Sequence, residues 1–206
     1  MTELLIATTN PAKFAEYGEL MRDFKLRLLS LRDAGIDREA PEGGSTFIDN
    51  ARIKAAFYFV RSSLPTLADD GGLEVDALGG APGVHSHRWL GDRADDRRLA
   101  EEVVRRMAGV DPARRSARLR AAAALIYTHH GVTCERVAEA ALEGIIAERC
   151  FPEIRQGFPY RSVLFLPERG CFLAEVSERD AAVNLSQRRI IVAQLANDLR
   201  RLAAAA

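Results

Sequence analysis

The segment that most constrains this chain is residues 66–83, where a short apolar run leads into two aspartates and a series of glycines. It reads TLADDGGLEVDALGGAPG. Residues 66–68 predict a short buried strand that ends at Asp69. Successive strand side chains point to opposite faces, so we expect Asp69 and Asp70 to have different roles. A carboxylate at a strand end beside a glycine turn suits Mg²⁺, which prefers oxygen ligands. The alternative is a simple turn with two capping aspartates.

A second polar feature follows the first predicted strand, residues 4–8. The sequence TTNPAK covers residues 8–13, and Asn10 before Pro11 predicts a helix N-cap followed by proline at the first helical position. Free amides and the helix dipole favour an anion at such a position. Thr8, Asn10 and Lys13 are therefore candidates for binding phosphate. The segment lacks the GxxxxGK[ST] pattern of a P-loop, and an ordinary capped helix with a solvated lysine is the alternative.

The third feature is Glu42, a glutamate followed by two glycines in a predicted loop over residues 32–45. Thr46 is a plausible N-cap for a helix over residues 47–62. Asn50 and Lys54 are four residues apart and share one face of that helix. Lys54 either meets a ligand or extends along the apolar surface to reach water. Glu42 is a candidate second carboxylate for the magnesium ion.

The remaining pattern predicts an α/β fold with a mixed sheet and helices packed on it, because strands and helices alternate irregularly. No internal repeat or linker divides residues 1–206, so we expect one domain. The predicted helices cover residues 11–24, 47–62, 94–107 and 186–202. The predicted strands cover residues 4–8, 26–29, 66–68, 118–128, 132–147, 163–166 and 171–176.

Composition excludes several classes of protein. The 206 residues carry 29 basic and 29 acidic side chains, so no global positive field favours nucleic acid. No apolar run approaches the ~18 residues that span a membrane. The three cysteines form no CxxC pair, and the amino-terminal sequence lacks the pattern of a secretory signal. We therefore expect a cytoplasmic protein that binds neither nucleic acid nor membrane.

Taken together, these segments resemble the inosine triphosphate pyrophosphatase family. IATTNPAKFAE is similar to the family's opening TxNxxKxxE motif, and PEGGSTFIDNARIKA is similar to its glutamate loop and following helix. LADDGGLEVDALGGAPGVHSHRWLG is the most specific match, and the resemblance covers nearly the whole chain. It implies an elongated, twisted mixed sheet with two lobes around a central nucleotide cleft, a homodimer, and Mg²⁺-dependent cleavage of nucleoside triphosphates to monophosphate and pyrophosphate.

The resemblance also implies residue roles. Glu42 and Asp70 would hold magnesium, and Asp70, Glu42 and Lys13 would form the catalytic group. The substrate would contact Thr8, Asn10, Lys13, Lys54, Gly71, Phe158, Gln187 and Arg188. Phe158 would stack on the base. Non-standard purine nucleotides such as ITP, dITP and XTP are the implied substrates.

The carboxyl-terminal third departs from the family pattern. The family's GFGYDP is GFPYRS here, residues 157–162, so Pro159 replaces glycine and Arg161 replaces aspartate. Gln187 stands at the family's histidine, Ala182 falls where a lysine is usual, and Gly71 replaces serine. Buried hydrogen-bonding groups discriminate strongly between bases, at about 1–3 kcal/mol each. We therefore expect a shifted or weakened base preference.

Two other functions compete with this interpretation. A nucleotide-binding protein without catalysis would keep the fold, but binding alone does not require Glu42, Asp70 and Lys13 together. A dimerisation module without a ligand would leave the phosphate-type residues unexplained.

Overall fold

The computed structural model describes residues 1–91, 95–176 and 185–204. Within these ranges the chain forms helices and strands in irregular alternation, as expected. The helices are α1 (Pro11–Leu20), α2 (Phe47–Ser62), α3 (Asp96–Arg106), α4 (Gln187–Gln194) and α5 (Ala196–Ala204). The strands are β1 (Glu3–Ile6), β2 (Arg27–Leu29), β3 (Thr66–Val75), β4 (Ser116–His129), β5 (Val132–Ile146), β6 (Leu164–Leu166) and β7 (Cys171–Phe172).

These strands belong to one mixed sheet in the order β2-β1-β3-β4-β5-β6-β7. β1 runs parallel to β2 and β3, whereas β6 runs antiparallel to β5 and β7. His130 and Gly131 connect β4 to β5 with φ angles of 48° and 75°. Positive φ at both positions is what a two-residue hairpin turn of type I′ requires. The predicted α/β class with a mixed sheet is confirmed.

The chain divides into two compact units. The first unit contains Met1–Asp70, Ala121–Ala140 and residues 188–204, and the second contains Gly71–Arg120 and Ala141–Gln187 apart from the undescribed residues. Strands β3, β4 and β5 each begin in one unit and end in the other. The prediction of a single domain over residues 1–206 stays a prediction.

In the first unit, helices cover both faces of the strands. Leu4 and Ile6 of β1 pack in a cluster with residues of α1, α4 and α5. Leu5 and Ala7 belong to a separate cluster with Ala51, Ala55 and Tyr58 of α2. Alternate side chains of β1 therefore enter two different cores, as expected for a parallel strand buried on both faces.

In the second unit, α3 packs its apolar side into a single core. Leu99, Val103 and Met107 are fully buried there together with Leu73 and Ile146. This core is closed at one end by a buried arginine. Arg115 donates from its guanidinium to the carbonyl oxygens of Met107, Ile146 and Ala147 at 2.6–2.9 Å. These bonds satisfy a charge that would otherwise be costly to bury.

The predicted end of β3 is wrong. The strand continues through both aspartates and both glycines to Val75, and Leu73 and Val75 are fully buried. Gly72 is needed for close approach: a Cβ there would lie 2.0 Å from Ser86 Oγ. The glycines suggested a turn, but at this point they let a strand pack against a neighbouring segment.

The other predicted ends of helices and strands lie closer to the observed ones. Helix α1 ends at Leu20 and a 3₁₀ turn, Arg22–Phe24, follows it. The predicted closing helix is two helices that meet at Leu195, where the i to i−4 hydrogen bonds continue. β7 ends at Phe172 before another 3₁₀ turn. None of the described helices is both long and apolar enough to cross a membrane.

Candidate functional site

The helix start at Asn10 has the predicted cap. Asn10 Oδ1 accepts hydrogen bonds from the backbone amides of Ala12 at 2.9 Å and Lys13 at 3.3 Å. Thr8 Oγ1 accepts from the Asn10 amide at 3.2 Å. Two of the amides that were expected to face an anion are therefore bonded to Asn10 itself. Phosphate binding by Thr8 and Asn10 stays a prediction.

Lys13 points into a group of charges inside the first unit, which we call the buried charge cluster: Lys13, Glu16, Asp69 and Arg188. Lys13 Nζ lies 3.3 Å from Asp69 Oδ2. Arg188 donates to the same oxygen from Nε at 3.0 Å and Nη2 at 2.7 Å, and its Nη1 bonds Glu16 Oε2 at 3.2 Å. All four residues are buried. Two cations therefore face two carboxylates in the interior.

Burial and charge act in opposite directions in this cluster. Burial lowers the pKa of Lys13, and attraction to Asp69 only partly offsets it. Burial alone would raise the pKa of Asp69, but the positive charges of Arg188 and Lys13 outweigh it and lower the pKa overall. Asp69 is therefore ionised at neutral pH, and one of its oxygens carries the contacts to both cations.

Asp70 belongs to a different group, the carboxylate site: Glu42, Asn50, Lys54 and Asp70. Lys54 Nζ lies 3.0 Å from Asp70 Oδ1 and 3.3 Å from Glu42 Oε1. Asn50 Nδ2 donates to the other Asp70 oxygen at 3.0 Å. Glu42 is exposed and Asp70 is 9% exposed, so this group reaches the surface. One ammonium thus connects the two carboxylates that the sequence proposed as a pair.

The electrostatics of Lys54 follow from this position. Burial lowers the pKa of Lys54, but the negative charges of Asp70, Asp69 and Glu42 outweigh that effect and raise the pKa overall. Lys54 and Asp70 also perturb the pKa of Lys13. The carboxylate site and the buried charge cluster therefore influence each other electrostatically. Glu42, Lys54 and Asp70 contact one another directly, whereas Lys13 contacts Asp69, and a shared catalytic role for these residues stays a prediction.

Glu42 and Asp70 fit Mg²⁺ by donor type. Both supply carboxylate oxygens, and Mg²⁺ is usually held by one or two carboxylates together with waters and substrate phosphates. Among the described residues, no group of three or more His, Cys, Asp or Glu side chains is arranged to hold a metal. A site built on two carboxylates would therefore take its remaining ligands from water and, when substrate is bound, from phosphate oxygens.

The base-recognition residues proposed from the sequence lie in the second unit, apart from Arg188. The Phe158 ring is buried, and the guanidinium carbons of Arg161 and Arg155 lie 4.7 Å and 5.1 Å from its centroid. Stacking of Phe158 on a base stays a prediction, and a base would have to share that ring with these cations. Gly71 follows Asp70 in β3.

Gln187 begins α4 and is buried; its Oε1 has no hydrogen-bond partner within the described chain. Arg188 bonds Asp69 and Glu16 instead of facing open solvent, so any contact with substrate would have to form beside those ion pairs. Ala182 lies outside the described residues.

Three residues of this region were not assigned a role from the sequence. Glu16 is the final glutamate of the quoted TxNxxKxxE pattern, and its spacing of three from Lys13 places both on one face of α1. Asp69 was separated from Asp70 by strand alternation but was given no partner. Asn50 was placed on the Lys54 face of α2, a signal that could have suggested its contact with Asp70.

Comparisons with known proteins show which family this chain resembles. A model of the Ham1 family matches residues 4–198. A protein named dITP/XTP pyrophosphatase from Geobacillus kaustophilus is 39% identical over 180 residues, covering 87% of this chain and 86% of the relative. A protein of the same name from Escherichia coli K12 is 35% identical over 181 residues, covering 87% and 89%.

Solved structures give the same result. A HAM1 protein from Coxiella burnetii superposes with a TM-score of 0.82 at 31% identity, covering 98% of this chain and 100% of that chain. The match extends along both units and includes the segments that supply the buried charge cluster and the carboxylate site. The resemblance read from the sequence is confirmed, and the chain belongs to the Ham1 family.

Proposed function

We propose that this protein is a pyrophosphatase of non-standard purine nucleoside triphosphates, such as dITP, ITP and XTP, and releases monophosphate and pyrophosphate. The single observation that carries the proposal is the convergence of Glu42 and Asp70 on one ammonium group, Lys54, at 3.0–3.3 Å. Separate segments of chain supply these three side chains. The activity named for the relatives from Geobacillus kaustophilus and Escherichia coli supports the same reaction.

The reaction adds water across the anhydride between the α and β phosphates. A bond forms from the water oxygen to phosphorus, the bond to the bridging oxygen breaks, and pyrophosphate leaves. Asp70 would orient the water and take its proton, a role supported by its access to the surface and by the bonds from Asn50 and Lys54 that fix its carboxylate. Positioning and charge stabilisation supply most of the rate in phosphoryl transfer.

Lys54 and Lys13 supply positive charge for the triphosphate. Lys54 keeps its proton at neutral pH because its pKa is raised by Asp70, Asp69 and Glu42 despite burial. Mg²⁺, held by Glu42 and Asp70, would polarise the phosphoryl oxygens and neutralise part of their charge. Glu42 and Asp70 are the two residues that we assign to the metal, and Thr8 and Asn10 would contact the phosphates from the start of α1.

The proposal includes a weakened base preference. Arg161 and Arg155 place two guanidinium groups on the Phe158 ring, where the family pattern has an acidic residue in place of Arg161. Arginine only donates hydrogen bonds, whereas a carboxylate only accepts them. Exchange of an acceptor for a donor changes which base edges a site can bind. Gln187 in place of histidine also changes the geometry of the donors and acceptors that a base could meet.

Purified protein with Mg²⁺ should be assayed for pyrophosphate release from dITP, ITP, XTP, dATP, ATP, dGTP and GTP. Release from any of these, lost in Glu42→Gln, supports hydrolysis at this site. Tight triphosphate binding by calorimetry without pyrophosphate release favours the non-catalytic alternative. A large preference for ITP over ATP and GTP contradicts the weakened base preference while leaving the hydrolase proposal intact.

The same proposal includes a homodimer located in the cytoplasm. Light scattering coupled to size-exclusion chromatography distinguishes a dimer from a 22.7 kDa monomer. Fractionation of the source cells, followed by immunodetection, tests the location.

A further inference from the structure

Asn50 lies between the two segments that carry the proposed metal ligands. It is 1% exposed and lies on α2 one turn before Lys54. Its Nδ2 donates to Asp70 Oδ2 at 3.0 Å, and its Oδ1 accepts from the Gly44 amide at 2.8 Å. One side chain therefore connects β3 to the loop that contains Glu42.

The chemistry of the partners fixes the orientation of this amide. An ionised carboxylate can only accept a hydrogen bond, and a backbone N–H can only donate one. The nitrogen of Asn50 must therefore face Asp70 and the oxygen must face Gly44. A leucine of the same shape could make neither hydrogen bond. The buried groups that Asn50 now bonds would then lack these partners, which is costly.

The Glu42 loop approaches Asn50 closely, and glycine is required for this. A Cβ at Gly44 would lie 2.7 Å from Asn50 Oδ1 and 2.8 Å from Asn50 N, which no real Cβ tolerates without movement. A Cβ at the neighbouring Gly43 would meet nothing within 4 Å. The loop thus packs against Asn50 at Gly44, two residues after Glu42, whereas the space beside Gly43 is empty.

We propose that Asn50 is a positioning residue that holds Glu42 and Asp70 at the spacing that binds one divalent cation. Its hydrogen bond fixes one carboxylate oxygen of Asp70, so that the other oxygen faces Lys54. It acts on Glu42 through the Gly44 amide. This inference rests on the proposed function, because it assigns a role within the same site. Partners that orient metal-binding side chains typically contribute 10–100-fold to metal affinity or activity.

The first experiment compares Asn50→Ala with wild type by two measurements. Mn²⁺ binding without nucleotide, followed by electron paramagnetic resonance, should weaken by about 10–100-fold. The kcat for dITP with Mg²⁺ should fall by a similar factor, while the KM for dITP changes far less, because Lys13 and Lys54 are retained. Asn197→Ala is the matched control: Asn197 is exposed on α5, and its substitution should change neither quantity.

The second experiment leaves Asn50 intact. Gly44→Ala forces the loop away from Asn50 but keeps the bond from Asn50 to Asp70, so Mn²⁺ affinity and kcat should both fall. Gly43→Ala adds the same methyl group one residue earlier, in open space, and should retain wild-type values. This pair tests the inference even where Asn50→Ala fails to fold, which thermal unfolding would reveal.

The third experiment is a double-mutant cycle with Glu42→Gln. If Asn50 acts through Glu42, Asn50→Ala should cost much less kcat in the Glu42→Gln background than in wild type. Additive losses contradict a role through Glu42. Wild-type Mn²⁺ affinity in both Asn50→Ala and Gly44→Ala overturns the inference, even if the wild-type enzyme hydrolyses dITP. Absence of hydrolysis by wild type overturns the proposed function instead, since the Mn²⁺ measurements still report on Asn50.

Discussion

Asp69 and Asp70 are adjacent in sequence and identical in chemistry, yet they occupy different environments. Asp69 has no exposed side-chain surface and bonds Lys13 and Arg188 in the buried charge cluster. Asp70 lies in the carboxylate site with Lys54 and Asn50, and 12% of its side chain is exposed. Alternation along β3 sends the two carboxylates to opposite faces. One aspartate can therefore stabilise the fold while the other remains able to meet a ligand.

These two residues therefore carry two kinds of negative charge, one enclosed in buried ion pairs and one near the surface. A buried carboxylate between two cations is costly to disturb, because removal of one partner leaves the others uncompensated. A carboxylate that reaches the surface can exchange its partners for a metal or a water molecule. The sequence motif contains both aspartates and does not distinguish them. Their different surroundings in the structure show which one contributes more to stability. Substitutions at the two positions should therefore have different principal effects.

The largest expected effect is the loss of catalysis in Asp70→Asn. The amide can still accept a hydrogen bond from Lys54, but it cannot accept the proton of water or hold Mg²⁺ as strongly. We expect kcat/KM for dITP to fall by about 10²–10⁴-fold. The midpoint of urea unfolding should also fall, because the side chains of Lys54 and Asp70 are each only 12% exposed and Asn50 is buried beside them. A variant that keeps more than a tenth of wild-type kcat/KM contradicts the role of Asp70.

Asp69→Asn should reverse this pattern by acting chiefly on stability. The substitution leaves Lys13 and Arg188 buried with one fewer negative charge, and loss of one partner from a buried ion pair costs about 3–5 kcal/mol. Urea unfolding measures the change. Asp76→Asn is the control, because Asp76 also bonds an arginine, Arg118, at 2.8 Å but is 48% exposed. That variant should lose about 1 kcal/mol or less.

The contribution of Asp69 should also depend on pH in a defined direction. Burial alone would raise its pKa, but Arg188, Lys13 and Lys54 lower it in the folded state. A lowered folded pKa stabilises the protein above the unfolded value of about 3.9, and this stabilisation is lost as the pH falls toward the folded value. The advantage of wild type over Asp69→Asn should therefore be constant near pH 7 and about 1 kcal/mol smaller at pH 3.

Urea unfolding of both proteins across this range provides the measurement. Asp76→Asn serves again as the control, since its exposed ion pair is screened by solvent and salt. A stability difference between wild type and Asp69→Asn that grows as the pH falls would show that Asp69 does not carry the stabilising negative charge.

The sequence predicted more of the carboxylate site than of the buried charge cluster, for a physical reason. Asn50 and Lys54 are four residues apart on a helix, and Glu42 and Asp70 stand beside glycines, and the resemblance to a known family joined these separate signals into one site. Arg188 reaches Asp69 from the far end of the chain, a contact that no local period encodes. The same limit explains the wrong end predicted for β3: Gly71 and Gly72 suggested a turn, because the close approach of Gly72 to Ser86 is visible only in three dimensions.

The smallest expected effect comes from Arg52, on the same helix as Lys54. Arg52 pairs with Glu135 at 2.8 Å, but the two side chains are 52% and 39% exposed. Exposed pairs contribute about 0–1 kcal/mol, because water and salt screen them and both side chains lose freedom. Arg52→Gln should therefore change the free energy of unfolding by less than about 1 kcal/mol and leave kcat/KM for dITP unchanged.

Lys54→Gln provides the contrast, two residues along α2. It removes the ammonium group shared by Glu42 and Asp70, and the charge proposed for the phosphates, so the KM for dITP should rise and kcat should fall. Parallel kinetic and urea measurements on the two variants separate the charge that acts on substrate from the charge that only faces solvent. Equal losses of kcat/KM in the two variants would mean that any positive charge on α2 attracts the triphosphate equally well. That result would contradict a specific role for the contacts among Glu42, Lys54 and Asp70.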